Sequence, residues 1–389
     1  MKAIVFGAGK IARGFVGQLL ADSKFEITFV EIDPMLVKML NDYDRYTVHV
    51  LGDESLNTTV TNYKALSLDN INEIAKEMSE SVIAFTAVGG KNLKNLGKVI
   101  ADCLNISHIK DRDFNFVTCE NWKNAGEELR EAIESNLNIE EKKKFETYIG
   151  VNEGVVMRIA TQPSKEQLES EPLGTWVQNF WELPVNKEYF KGELPPIKGI
   201  KLIDHFGCFL EQKLYTNNTS NAVIAYNGYL RGYRIVAEAA NSPEISEMLD
   251  EVYKEINETL IRELHVEREQ QELLAKKARD KYSDWQIVDQ ITRHAKDPIR
   301  KLGPDDRLIA PARMAIKNGV NPFVITNTIA AALYFDYPGD PIALELKAMR
   351  ESKGIPYILK NICKLDENEQ LYTKILNAVY GLKKAGLIK

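Results

Sequence analysis

KAIVFGAGKIARGFVGQLLA, residues 2–21, is the stretch on which the reading of the whole chain turns. A β-branched run from Lys2 to Phe6 stops at Gly7, and from Lys10 to Ala21 the apolar residues recur at helical spacing, so the stretch predicts strand, tight turn, helix. The turn GAGKIA (7–12) fits G-x-G-x-x-G/A. In that pattern Gly7 permits the sharp turn, Gly9 lets a pyrophosphate approach the backbone, and Ala12 keeps helix and strand close. The amides of Ala8, Lys10 and Ile11 then meet the phosphates at the helix N-terminus. EITFVEID (26–33) supplies a second strand, and Glu31 stands about twenty residues beyond the glycines, where a carboxylate binds the ribose hydroxyls of NAD and repels the extra phosphate of NADP. Otherwise Glu31 is a solvated strand end.

Farther along, VIAFTAV (82–88) and FNFVTCEN (114–121) repeat the strand-then-helix alternation, the second with a helix from Trp122 to about Ser135. TYIGV (147–151) and VVMRIA (155–160) extend the sheet, while residues 46–66 read as an inserted antiparallel excursion. Ligands of a doubly wound sheet sit beyond the carboxyl ends of its strands, which singles out Val88, Gly89 and the group Cys119, Glu120, Asn121. Asn121 is a candidate donor near the nicotinamide or, equally, a helix N-cap. The Pro-rich ELPPIKG (193–199) reads as a hinge, and from Lys201 the pattern turns helical: 204–239, 244–264, 267–281, 284–294 and further segments to the end. The fold expected is α/β: an N-terminal Rossmann-type doubly wound sheet over residues 1–197, then a mainly α-helical domain over 198–389, with the substrate in the crevice between them.

Composition narrows the function. A chain of 389 residues with 44% apolar and 27% charged residues and a net charge of −6 reads as globular, without general attraction for nucleic acid or anionic lipid. Any anionic ligand must be captured by local groups. Four dispersed cysteines, Cys103, Cys119, Cys208 and Cys363, suggest reduced thiols in a cytoplasmic protein. No metal-ligand spacing, signal peptide or membrane span is expected, and the partner is a small molecule, with the chain a monomer or small homo-oligomer.

In the second half one segment asks for chemistry. EQKLYTNNTSNA (211–222) sets Lys213 among Asn217, Asn218 and Asn221, and at about 100° per residue Lys213, Asn221 and Asn218 fall at about 0°, 80° and 140° around an α-helix. A solvated lysine is the bland reading. The chemical one has Lys213 exchanging protons with a substrate while neighbouring amides hold its oxygen. In DPIRKLGPDDRLIAP (297–311), Arg300, Lys301 and Arg307 either bind a phosphate or pair with Asp297, Asp305 and Asp306. The run 267–281 reads as a solvated helix face.

Taken together, GAGKIARGFVG (7–17), CEN (119–121), FKGELPPIKGIKL (190–202), EQKLYTNNTSNA and DPIRKLGPDDRLIAP resemble the polyol-specific long-chain dehydrogenases over essentially the whole chain. The resemblance implies NAD-dependent interconversion of a hexitol phosphate and a ketose phosphate, D-mannitol 1-phosphate and D-fructose 6-phosphate, with Lys213 as general acid/base. It also implies that Asn218, with Asn121, binds the reacting oxygen and that Asn221 meets the substrate. Two departures stand out: Asn221 replaces the family's usual histidine, and Met157-Arg158 its usual Asp-Arg. An unphosphorylated polyol or a hexuronate as substrate, or a non-catalytic NAD(H)-sensing role, are the alternatives.

Overall fold

The computed structural model describes residues 1–106, 112–122 and 124–388, and the chain divides into two compact units, Met1–Phe206 and Gly207–Lys389. Among its described residues the first unit carries eleven strands: β1 (Lys2–Phe6), β2 (Glu26–Glu31), β3 (Tyr46–Val50), β4 (Thr58–Val60), β5 (Tyr63–Ser67), β6 (Ile83–Thr86), β7 (Phe114–Thr118), β8 (Ile149–Glu153), β9 (Thr175–Val177), β10 (Leu183–Asn186) and β11 (Ile200–Ile203). Six of them form one parallel sheet in the order β5-β2-β1-β6-β7-β8. Counted along the chain this is 3-2-1-4-5-6, the dinucleotide-binding order, with its reversal between β1 and β6.

Both faces of this sheet are covered, and its inner strands β1 and β6 are near-continuous apolar runs instead of alternating with polar residues. Along β1, Ala3 and Val5 join one core and Ile4 and Phe6 the other. Helices Ile71–Glu80, Leu93–Ile106 and Ala125–Glu134 bury Ile74, Ile100 and Leu129 on the Phe6 side. On the Val5 side lie Phe15, Leu19 and Leu20, together with side chains of the small sheet β4-β3-β9.

Several local expectations need correction, among them the helix at 284–294, which is helical only from Ile291, and the helix at 204–239, which is interrupted after Leu230. The excursion is antiparallel only between β3 and β4, because β5 at 63–67 pairs in parallel with β2 and belongs to the main sheet. Residues 155–160 do not extend that sheet: only isolated bridges, Gly154 with Val185 and Ala160 with Val177, tie this stretch to the smaller strands. The pattern is not yet helical at Lys201, since β11 runs through Ile203 beside β10, and the helix expected from 204 begins at Phe206.

The second unit is helical. Thr219–Leu230 is buried from Thr219 to Gly228, and its middle, AVIAY, is apolar on every side. Phe323–Leu333 and Pro243–Leu264 pack against it. Ser242 caps the latter by accepting from the Ile245 amide, and Pro243 sits at its first position, where no amide bond is lost. The charged Arg268–Ser283 still buries Gln271, Ala275, Ala278 and Tyr282. Among the described residues no helix is long and apolar enough to cross a membrane.

Candidate active-site groups

The glycine turn lies where the strand order reverses. Gly7 has φ +92°, and a methyl group there would come within 2.5 Å of the Ala87 carbonyl oxygen at the end of β6. Only glycine fits so close an approach in that conformation. At Gly9 a methyl group would meet nothing within 4 Å, so the backbone borders open space at the start of the first helix. That is the cradle a pyrophosphate requires.

Glu31 does more than end a strand. Its Oε2 accepts from the Ala8 amide at 2.7 Å, and Oε1 accepts from Ile32 and Asp33 at 2.8 and 3.1 Å. The carboxylate is thereby fixed against the turn, in the place a ribose-binding acid occupies. Ala12 is buried under the turn, whereas Lys10 and Ile11 are partly exposed beside it, and Lys10 Nζ donates to Gln162 Oε1 at 2.6 Å.

Two residues given no role from sequence hold this end together. Arg13 is buried and donates to the carbonyls of Ala8 and Leu173. Glu120, at the end of β7, accepts from the amides of Val88 and Gly89, each at 2.8 Å, and so ties β7 to the loop after β6. Burial pushes its carboxyl pKa up, and those two amides oppose the shift. The local signal was a carboxylate at a strand end. Asn121 next to it is exposed, and the N-cap of the following helix is Asn124 instead.

In the second unit, Lys213 closes the helix Phe206–Lys213 and is followed without a break by a π-helical turn, Leu214–Asn218, and then by Thr219–Leu230. A π turn bonds i to i+5 and inserts one residue without advancing the helix, a distortion frequent at functional sites. Positions 213 and 221 then behave as seven apart, which is two whole turns less about 20°. By the same count Asn218 behaves as the fourth residue after Lys213, about 40° away. The spread expected for an unbroken α-helix therefore contracts, and the three side chains share one stripe.

Lys213 is half-buried, and its pKa is lowered, first by burial and then by the positive charge of Arg307. Asn218 is partly exposed, while Asn221 is buried with its amide nitrogen 2.5 Å from His294 Nδ1. Gln271 steadies the π turn by donating to Thr216 Oγ1 at 2.9 Å, and Tyr282 donates to the Asn217 carbonyl at 3.1 Å. Lys281 adds a further cation: burial, and then the charge of Lys213, bring its pKa down to about 8. Nothing in linear spacing marks Gln271, Lys281 or His294.

The three cations expected near a phosphate differ in their surroundings. Arg300 donates to Asp297 at 2.8 Å and to Asp306 at 2.9 Å. Arg307 donates through Nε to Asp306 at 2.8 Å, and its main-chain oxygen accepts from Thr219 Oγ1 at 2.7 Å. Lys301 is buried and donates to the His294 carbonyl, and burial, then the charges of Arg307 and Arg300, lower its pKa to about 7. Arg158, from the Met157-Arg158 pair, is buried elsewhere: it bonds Gln178 O, Gly14 O and Gln18 Oε1 in the first unit. Among the described residues no group of three or more His, Cys, Asp or Glu is placed to hold a metal ion.

Residues 1–199 match the mannitol dehydrogenase Rossmann domain and residues 205–383 the mannitol dehydrogenase C-terminal domain. The chain is 34% identical to mannitol-1-phosphate 5-dehydrogenase of Bacillus subtilis, over 97% of this chain and 99% of the relative. With the enzyme of that name from Thermoanaerobacter pseudethanolicus it shares 31% identity over 98% of both chains. A substrate-free D-sorbitol dehydrogenase has the same fold, with a TM-score of 0.83 at 17% identity over 99% of this chain and 93% of that one. So does Pseudomonas fluorescens mannitol 2-dehydrogenase in a ternary complex with NAD and D-mannitol, with a TM-score of 0.71 at 14% identity over 100% and 92%.

Proposed function

From the premise that the chain belongs to the mannitol dehydrogenase family, we propose that it interconverts D-mannitol 1-phosphate and D-fructose 6-phosphate with NAD, Lys213 acting as general acid/base. The observation that carries the mechanism is a half-buried lysine with a lowered pKa, heading a π turn that brings Asn218 and Asn221 onto its side of the helix.

The first unit's residues hold the dinucleotide. Backbone amides around Gly9 take the pyrophosphate, Glu31 takes the ribose hydroxyls, and Asn121 takes the nicotinamide end. NAD held there would supply the acceptor for the hydride leaving the carbinol carbon. All remaining chemistry concerns a proton and an oxygen. A free lysine has a pKa near 10.4 and is almost wholly protonated at neutral pH, so a lowered pKa is what equips Lys213 to take the hydroxyl proton. In the opposite direction its ammonium returns that proton to the former carbonyl oxygen. The amide of Asn218 donates to the developing alkoxide, a contribution for which loss of one comparable donor costs about 3–4 kcal/mol in barrier.

For the substrate phosphate, Arg307 is the best suited of the three cations, being engaged by a single carboxylate, Asp306. Arg300 is engaged by two carboxylates, and Lys301 points to a backbone carbonyl. The test is a panel of fructose 6-phosphate, fructose and tagaturonate with NADH and with NADPH. Turnover of fructose 6-phosphate with NADH well above every other pairing is expected. Preference for fructose or tagaturonate would reassign the substrate, and binding of NADH without any turnover would leave a nucleotide sensor.

A further inference from the structure

Arg13 is a buried cation that the proposed mechanism leaves without a task. Its guanidinium donates through Nη1 to the Ala8 carbonyl and through Nε to the Leu173 carbonyl at 3.2 Å, main-chain oxygens and, among the described residues, no carboxylate. Burial lowers its pKa against the opposing influence of Tyr46 and Glu31, yet an arginine side chain keeps its proton. Burying a charge against neutral partners is costly, and an apolar side chain of similar size would serve packing better. Packing alone therefore does not account for an arginine here.

The geometry of the glycine turn does. A trans peptide holds its C=O and N–H on opposite sides. In the Ala8–Gly9 peptide the oxygen is turned inward to the Arg13 guanidinium, so the Gly9 N–H is turned outward, at the residue where a methyl group would meet nothing within 4 Å. In the next peptide the Gly9 oxygen accepts from the Arg13 amide at 2.9 Å, which directs the Lys10 N–H toward the start of the helix. The preceding peptide is held differently. Its Ala8 N–H donates to Glu31 Oε2 at 2.7 Å and has no second hydrogen to give a phosphate. Arg13 is itself anchored by Tyr46, whose hydroxyl donates to the Arg13 carbonyl at 3.1 Å.

We infer that Arg13 is a positioning residue for the cofactor, aiming the Gly9 amide at the pyrophosphate of NAD and strengthening it as a donor. The inference rests on the reading of the glycine turn as the seat of the pyrophosphate. The Arg13 side chain fixes one carbonyl and its amide the next, so two successive N–H groups are turned the same way, the backbone arrangement that takes up phosphate oxygens. A charged donor on the Ala8 oxygen also polarises the peptide to which the Gly9 N–H belongs, because linked hydrogen bonds reinforce one another. Glu31 and Arg13 thus grip Ala8 from its two ends, the carboxylate at the amide and the guanidinium at the carbonyl.

The test titrates NADH by fluorescence in the wild type, Arg13→Met, Arg13→Gln, Arg13→Lys and Gly9→Ala, with ADP and adenosine as competitors and thermal melts to establish folding. ADP carries the pyrophosphate and adenosine lacks it, so the ratio of their inhibition constants reads the turn alone. In Arg13→Met, a side chain of similar length without a donor, the constants for NADH and ADP should rise about tenfold, the worth of one hydrogen bond, while that for adenosine stays within about twofold. Arg13→Lys, which keeps a charged donor, should fall between Arg13→Met and the wild type. A loss as large as in Arg13→Met would overturn the part assigned to the charge. An unchanged ADP constant in Arg13→Met overturns the inference, and so does equal weakening of ADP and adenosine, the mark of a domain merely loosened. Should Arg13→Met fail to melt cooperatively, Arg13→Gln is read by the same ratio. If Gly9→Ala binds ADP as the wild type does, the pyrophosphate lies elsewhere and the reading of the turn falls with it. Weaker ADP binding in Gly9→Ala but not in Arg13→Met removes the positioning role alone.

Discussion

The two π-helical turns, Ala12–Gly17 in the first unit and Leu214–Asn218 in the second, use one backbone device to opposite ends. All six residues of the first are buried. Its glycines are spaces: a methyl group at Gly14 would lie 2.8 Å from Thr175 Oγ1 and Val177, and one at Gly17 would lie 2.5 Å from the Tyr46 hydroxyl. Its carbonyls are gripped from outside, Arg13 O by Tyr46 at 3.1 Å and Gly14 O by Arg158 at 3.0 Å. The second turn has no glycine, and three of its five residues, Thr216, Asn217 and Asn218, carry polar side chains. Where the first turn presents backbone, the second aligns side chains. The first turn packs the helix that follows the glycine turn, and the second, in the proposed function, sets an amine and amides side by side.

The contrast is sharpest in Lys213→Ala. Removing the proposed general acid/base should lower turnover by about 10²–10⁴-fold, while NADH fluorescence titration should give near-normal affinity, because the residues proposed to hold the nucleotide all lie in the other unit. Turnover retained in this variant would take Lys213 out of the mechanism and leave the second turn merely structural. Gly17→Ala probes the first turn instead. Crowding the Tyr46 hydroxyl should cost about 1–3 kcal/mol, seen as a lower Tm, with the pH profile of mannitol 1-phosphate oxidation unmoved. An unchanged Tm would mean that the turn is not tightly packed. Gly9→Ala separates packing from binding, since nothing in the protein opposes the new methyl group. The melt should be that of wild type and the NADH Kd about tenfold weaker, from a blocked approach to the amides. Equal affinity would place the pyrophosphate elsewhere.

How much of this was legible follows from the range of each interaction. The glycine turn, the strand of Glu31 and the helical second half announce themselves within twenty residues, through periodicity and turn chemistry. β5 was misassigned because a short run with partly exposed residues looks alike at a sheet edge and in a hairpin, and only pairing with β2 tells them apart. The π turns were invisible, as their composition is that of any helix. Lys213, Asn218 and Asn221 were therefore named, but at angles that the inserted residue overrides. Asn221 looked like the loss of a titratable group. The fold brings an imidazole to it from position 294, a pairing 73 residues apart that no local pattern encodes. Arg300 and Arg307 presented both a phosphate reading and a carboxylate reading, and Asp297 and Asp306 do contact them. Asn121 offered a cap or a donor, and the cap is Asn124.

Arg307→Gln gives the smallest effect and tests the electrostatics of the second turn most directly. Oxidation requires the neutral amine, so its rate rises with pH through the Lys213 pKa, and reduction requires the ammonium and falls over the same interval. A neighbouring positive charge disfavours the ammonium, which is how Arg307 adds to the burial that lowers this pKa. Removing the charge should move both limbs to higher pH. Because burial is the larger cause, they should still lie below the ordinary lysine value. The substitution is tolerable on structural grounds. Asp306 keeps the Arg307 backbone amide at 2.7 Å and Arg300 at 2.9 Å, and Thr219 bonds only the main-chain oxygen of residue 307. The limb is read in kcat at saturating substrate, so that a raised KM from a lost phosphate contact does not obscure it. A limb that stays fixed or moves downward would mean that the ionising group is not the amine beside Arg307, and the second turn would lose its claim to the proton.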